Sequence, residues 1–232
     1  MIEVHRTEKK FLINSVDYLK ASSWLGKVMI EDSHNGENGY TIRSLYFDTL
    51  NDNDYNDKEL GIKERRKIRL RIYDPDQKNV KLEIKQKDGD FQLKRSLSIT
   101  REDAMELING NYGVLLKYEE KIAAECYAIM QTQCYRPKTV VEYNRKAFIA
   151  KENDIRITFD YAIKTNEINY NIFDKNLALN SAFDNSNVVL EVKYNGFLLS
   201  YIKDFLEKID KSQTSVSKYC LGREITQYFE YM

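Results

Sequence analysis

The feature that most constrains this chain is an alternation of charged and apolar residues, repeated in six separate stretches. Successive side chains of a β-strand point to opposite faces, so residues i, i+2 and i+4 share one face. In Lys67–Tyr73, one face is Lys67, Arg69 and Arg71 and the other is Ile68, Leu70 and Ile72. Lys81, Glu83 and Lys85 oppose Leu82 and Ile84, and Arg156, Thr158 and Asp160 oppose Ile155, Ile157 and Phe159. Glu191 and Lys193 oppose Leu190 and Val192, while Tyr143 and Arg145 share a face. Near the start, Arg6, Glu8 and Lys10 share a face, opposite Lys9, Phe11 and Ile13.

One solvated face of an antiparallel sheet explains any single stretch. It does not explain the set. Lys plus Arg equals Asp plus Glu at 36 each, yet the polar faces collect Lys10, Arg69, Arg71, Lys85, Arg145, Arg156 and Lys193 against fewer acids. A closed barrel with a cationic interior accounts for this, because interior and exterior residues alternate along every barrel strand. The arginines suit bidentate phosphate contacts. An empty interior of this kind repels itself. The interleaved Glu8, Glu83 and Glu191 offset part of that cost, and a bound polyanion, with a phosphate chain the natural candidate, would offset the rest.

The other segments predict helices between strands. Asn14 or Ser15 caps a helix through about Gly26, and Thr100 with Asp103 forms a capping box for a helix through Leu107. Tyr118–Cys134 has helical periodicity, and Leu198–Ile209 and Leu221–Phe229 read as closing helices. Further strands are expected at Ile42–Phe47, Val80–Gln86, Phe91–Ile99, Thr139–Phe148 and Val188–Tyr194, with a hairpin turn at Lys87–Asp90. Asn51–Leu60 reads as a loop with a short helix. The expected class is α+β, with a mostly antiparallel sheet and helices between strands, as one domain over residues 1–232. Trp24, Leu19 and Leu25 are expected in the core, and Cys126 and Cys134 as small buried residues.

The balanced charge argues against a generic nucleic-acid binder. Three cysteines without a CxxC argue against a disulfide framework and a cysteine zinc site, and His5 and His34, far apart in sequence, make a poor metal constellation. Asp52, Asp54 and Asp57 lack the glycine and terminal Glu of a calcium loop. The N-terminal MIEVHRTEKKFLI has no apolar signal core, and no run approaches the roughly 18 apolar residues of a membrane span, so a cytoplasmic protein is expected.

Several blocks in order resemble the VTC domain of the triphosphate tunnel metalloenzymes, a CYTH-like superfamily. They are Arg6-Thr7-Glu8-Lys9-Lys10-Phe11, Ser44-Leu45-Tyr46-Phe47-Asp48, Arg69-Leu70-Arg71-Ile72-Tyr73, Leu82-Glu83-Ile84-Lys85, Glu142–Phe148, Ile155–Asp160, Leu190-Glu191-Val192-Lys193 and Ser217-Lys218-Tyr219. The resemblance implies an eight-stranded antiparallel β-barrel tunnel with flanking helices that makes polyphosphate from ATP with Mn²⁺ or Mg²⁺. It implies that Lys10, Arg69, Arg71, Lys85, Arg145, Arg156 and Lys218 are the catalytic cations. Glu8, Glu83, Tyr143, Lys193, Ser217 and Lys94 (or Arg95 in place of Lys94) would line the phosphate site, and Glu191 would bind the metal.

Two departures matter. Arg6 stands where hydrolytic relatives carry the first carboxylate of ExExK, which favours the polymerase branch over a triphosphatase. Ser215 stands where catalytic members often carry a further lysine, which leaves a non-catalytic polyphosphate-binding module as an alternative. The expected partners are ATP and polyphosphate or triphosphate, with no nucleic acid. A membrane-protein partner not encoded in this chain is also expected.

Overall fold

The computed structural model describes residues 6–89, 91–182, 184–213 and 216–230. Its strands are β1 (Arg6–Asn14), β2 (Ile30–Glu31), β3 (Tyr40–Asp48), β4 (Glu64–Ile72), β5 (Asn79–Asp88), β6 (Phe91–Thr100), β7 (Arg136–Ala150), β8 (Ile155–Asn166), β9 (Asn180–Ser181), β10 (Asn187–Asn195) and β11 (Ser212–Gln213). Its helices are α1 (Ser15–Val28), α2 (Asn53–Glu59), α3 (Arg101–Ile108), α4 (Lys121–Thr132), α5 (Ser200–Glu207) and α6 (Lys218–Glu230). A 3₁₀ turn, Tyr112–Lys117, precedes α4. The architecture is mixed α and β, built on a large antiparallel sheet.

Backbone pairing runs β11-β1-β10-β8-β7-β3-β4-β5-β6, with β2 on β7 and β9 on β8. This path has two ends, β11 and β6, so among the described residues the large antiparallel sheet is shown and the expected closure into a barrel is not. Closure needs a second partner for each end strand. β11 is two residues long and pairs with β1.

The chain forms two compact units. The first comprises residues 1–41, 143–163 and 183–217, and the second residues 42–142, 164–182 and 218–232. Each has its own core. In the first, Ala21 and Leu25 of α1 and Ile202 and Leu206 of α5 pack with Ile157, Phe159, Leu190 and Val192 of the strands. In the second, Ala104 and Leu107 of α3 and Ile122, Cys126 and Met130 of α4 pack with Ile68, Leu70, Leu82 and Ile84. Fully burying one such aliphatic side chain contributes about 1.5–3 kcal/mol. In both units the helices therefore share a core with the apolar strand faces, as the alternation requires.

The two predicted caps form: the Asp17 amide donates to Asn14 Oδ1 at 2.8 Å, and the Asp103 amide donates to Thr100 Oγ1 at 3.1 Å. Two core expectations do not hold. Leu19 is exposed, because it lies about 160° around α1 from the buried Ala21. Cys134 is exposed with φ 52°. It is the left-handed residue that ends α4, where the Tyr135 amide donates to Met130 O and the Cys134 amide to Gln131 O. Trp24 does pack as expected, stacked on Phe205 at 4.0 Å.

The second unit also buries a carboxylate pair. Asp48 accepts from the amides of Thr49, Asp54 and Tyr55 and from the Tyr219 hydroxyl, and Asp54 accepts from the Tyr135 hydroxyl at 2.8 Å. Burial, reinforced by the neighbouring Asp48 charge, pushes Asp54 up to about 7. A carboxyl raised in the folded state stabilises the fold most below its unfolded value, and that contribution is lost as pH rises through the folded value. Asp54→Asn should therefore flatten the loss of stability between about pH 4 and pH 7, read by urea unfolding at several pH values. An unchanged pH profile would refute this assignment.

Candidate functional site

In the first unit, register aligns the charges in rows. Glu8 pairs with Lys193, which pairs with Arg156; Lys10 pairs with Glu191, which pairs with Thr158. Directly opposite residues share a face of the sheet, so the predicted alternation is brought together across β1, β10 and β8. Lys193 Nζ lies 2.5 Å from Glu191 Oε1 and 3.8 Å from Glu8 Oε2, and Lys10 Nζ lies 3.5 Å from Glu8 Oε1. Lys10 Nζ also donates to Val216 O at 3.4 Å. Glu191 is buried.

Arg145 of β7 makes a bidentate pair with Asp160 of β8, at 2.6 and 2.8 Å. Its guanidinium lies 5.5 Å from the centre of the buried Tyr143 ring. Burial works against the Arg145 charge, but Asp160 overcomes it, and its pKa stands well above the usual arginine value. Arg156 pairs with Asp32 at 2.7 Å. Asp160 and Asp32 were missing from the expected site. Asp160 was legible in its alternation with Arg156 and Thr158; Asp32 lies outside any strand pattern. Ser217 precedes α6, half-buried.

In the second unit, Tyr46 pairs with Arg69, which pairs with Glu83; Lys67 pairs with Lys85, which pairs with Lys94. The buried Glu83 is the hub. It takes Arg69 Nε at 2.7 Å, Lys94 Nζ at 2.5 Å and Arg71 Nε at 3.7 Å. Burial alone would raise its pKa, but Arg69, Arg71 and Lys94 outweigh burial and hold it at about 2. Lys94 is lowered, chiefly by burial and by the two arginines, against the pull of Glu83. Arg95 lies on the helix-covered face, paired with Glu125 of α4 and Gln86, so of the two expected alternatives Lys94 is the one that joins the charged face.

Tyr46, part of a block that carries the resemblance but given no site role there, accepts from Arg69 Nη1 at 2.9 Å. Burial favours its neutral form, yet Arg69, Arg71 and Lys67 outweigh that and lower its pKa. Lys218 is the first residue of α6 and half-buried. The side chain of Arg6 and the whole of Ser215 lie outside the described residues.

Three buried polar atoms on these faces have no hydrogen-bond partner: Thr158 Oγ1, Ser44 Oγ and Arg71 Nε. Buried polar groups are ordinarily satisfied. The profile of the VTC domain matches residues 5–227. The chain belongs to the VTC domain family. No curated protein matches it. The VTC domain here is similar in fold to a candidate adenylate cyclase from Bacillus halodurans, at 12% identity and TM-score 0.54 over 97% of this chain and 99% of that one. It also aligns with the PH1819 protein of Pyrococcus horikoshii at 10% identity and TM-score 0.44, over 97% and 100% of the two chains.

No group of three or more His, Cys, Asp or Glu is placed to hold a metal among the described residues of this VTC domain. The donor set still fits a hard divalent cation. Mg²⁺-type sites often use one or two carboxylates and draw the remaining oxygens from phosphate and water. Glu191, Glu8 and the orphaned Thr158 hydroxyl are oxygen donors of that kind. No helix of the described residues is long and apolar enough to cross a membrane.

Proposed function

We propose that this VTC domain is a polyphosphate polymerase that transfers the γ-phosphoryl group of ATP to a growing phosphate chain in a cationic tunnel. The observation that carries the reading is the in-register assembly of Lys10, Lys193 and Arg156 in one unit, and of Lys67, Arg69, Arg71, Lys85 and Lys94 in the other. Phosphoryl transfer asks a protein mainly for positioning and charge stabilisation. The arginines and lysines hold the triphosphate and the acceptor in line. An oxygen of the acceptor's terminal phosphate forms the new bond to the γ-phosphorus, the bond to the β,γ-bridging oxygen breaks, and ADP leaves with that electron pair. Tyr143, Ser217 and Lys218 complete the phosphate contacts. Mn²⁺ or Mg²⁺ on Glu191, with Glu8 and Thr158 beside it, would supply neutralisation of phosphate charge. With ATP as donor, the reaction belongs in the cytoplasm, and the product chain is suited to a membrane-protein partner encoded elsewhere.

Phosphorus NMR of the purified chain with ATP and Mn²⁺ tests this. Growth of mid-chain phosphate signal together with ADP is the expected result. Inorganic phosphate with ADP, without chain growth, would make it a triphosphatase. Folded protein that binds tripolyphosphate but turns nothing over would make it a binding module.

A further inference from the structure

We infer that residues 30–40 form a fixed strap whose Asp32 and Tyr40 position Arg156 by holding its Nη2, leaving Nε and Nη1 to face an anion; that the anion is phosphate rests on the proposed function. Arg156 Nη2 forms an ion pair with Asp32 Oδ2 at 2.7 Å and donates to the Tyr40 hydroxyl at 3.2 Å. Arg156 Nε and Nη1 make no hydrogen bond to any described residue. The guanidinium is a rigid planar fork. Anchoring one nitrogen therefore aims the other two.

Asp32 is itself held. It is nearly buried, and it accepts from the His34 amide at 3.0 Å, with the His34 ring Nδ1 2.8 Å from the same oxygen. Burial works against its charge, but the His34 contacts and Arg156 outweigh it and bring its pKa down to about 2. The carboxylate is therefore ionised wherever the protein works.

The strap is seated on β7 at several points. Ile30 and Glu31 pair with Ile149 and Phe148. The Asp32 amide donates to Ala147 O at 3.0 Å, and the Asn35 side chain both donates to Ala147 O at 2.9 Å and accepts from its amide at 3.1 Å. Gly36 and Gly39 exchange two backbone hydrogen bonds at 3.1 Å. Gly39, at φ 72°, lies so close to β7 that a Cβ there would stand 2.2 Å from Arg145 O. The Tyr161 hydroxyl donates to Asn38 O. A carboxylate carried on such a rigid loop is a positioning group, not a mobile competitor for the arginine. Removing it also removes negative charge near the anion, so its loss is not expected to weaken binding. The expected signature is poorer alignment.

The test uses the full chain and its Asp32→Ala, Asp32→Asn and Asn35→Ala variants, with two readouts. Nitrogen NMR of labelled arginine, without ligand, should show hindered rotation of the Arg156 guanidinium that is lost in Asp32→Ala and weakened in Asn35→Ala. In ATP turnover, Asp32→Ala and Asp32→Asn should lower kcat about 10-fold while KM stays within about 2-fold, the pattern of lost alignment and not lost binding. Equal rotation in wild type and Asp32→Ala overturns the strap, whatever the activity. A fall in melting temperature with unchanged kcat assigns Asp32 a purely structural role and also overturns it. Wild-type protein that neither turns over ATP nor binds tripolyphosphate overturns the phosphate reading, while the rotation measurement still decides the strap.

Discussion

Glu191→Gln should lower ATP turnover by at least about 100-fold, the scale seen when one preorganised charge is removed from a reacting centre, while tripolyphosphate binding persists. Glu191 is buried, faces Lys10 and Thr158 in register, and lies 2.5 Å from Lys193. Two losses are therefore possible in the variant: a carboxylate oxygen for the divalent cation, and the partner that steadies Lys193. Glutamine keeps the shape and one acceptor oxygen but no charge. If the cation role dominates, raising Mn²⁺ should recover part of the turnover, because weaker cation binding is overcome by mass action. If Lys193 positioning dominates, added Mn²⁺ should change nothing. Full activity in Glu191→Gln would remove this residue from the mechanism altogether.

The largest stability effect is expected at Glu83. Breaking a buried ion pair by removing one partner costs about 3–5 kcal/mol, because the remaining charge is left uncompensated. Glu83→Gln leaves Arg69, Arg71 and Lys94 without their shared carboxylate, so its urea midpoint should fall accordingly.

The same group predicts the acid limb. The three cations lower its pKa from 4.5 to about 2 despite burial. A depressed carboxyl contributes stability that is present above its unfolded value and lost as pH falls through its folded value. A shift of this size corresponds to about 3 kcal/mol, lost between roughly pH 4.5 and pH 2. Glu83→Gln should lack that loss. A polyanion should stabilise the variant more than the wild type, because it then faces three uncompensated cations. If tripolyphosphate raises the melting temperature of both proteins equally, Glu83 does not hold these cations for phosphate.

The balance of charge in the whole chain, 36 cations to 36 anions, becomes local in the structure. Arg69 and Arg71 share Glu83, Arg145 has Asp160, Arg156 has Asp32, and Lys193 has Glu191. This pairing is the physical answer to the cost of a cationic face without ligand. Unpaired like charges repel, and burial raises the cost.

The sequence by itself determined which side chains share a face. The pleat turns each successive residue over, and that is a property of the local backbone. Arg69 with Arg71, Glu83 with Lys85 and Glu191 with Lys193 were thus legible from spacing. The helix caps at Asn14 and Thr100 were legible too, since a cap joins residues three apart. The two-residue strands were not, because two residues carry no period.

Which charge meets which was decided only by the tertiary structure. Glu83 meets Arg69 because β4 and β5 pair in one particular register, and a slip of one residue would turn every side chain of a strand to the other face. Lys94 reaches Glu83 while Arg95 reaches Glu125, since α4 covers only one side of β6. Asp32 reaches Arg156 through a loop that lies 116 to 124 residues earlier in the chain and is seated by backbone and amide contacts to Ala147. Register and loop seating depend on hydrogen bonds between distant segments, and no local spacing encodes them.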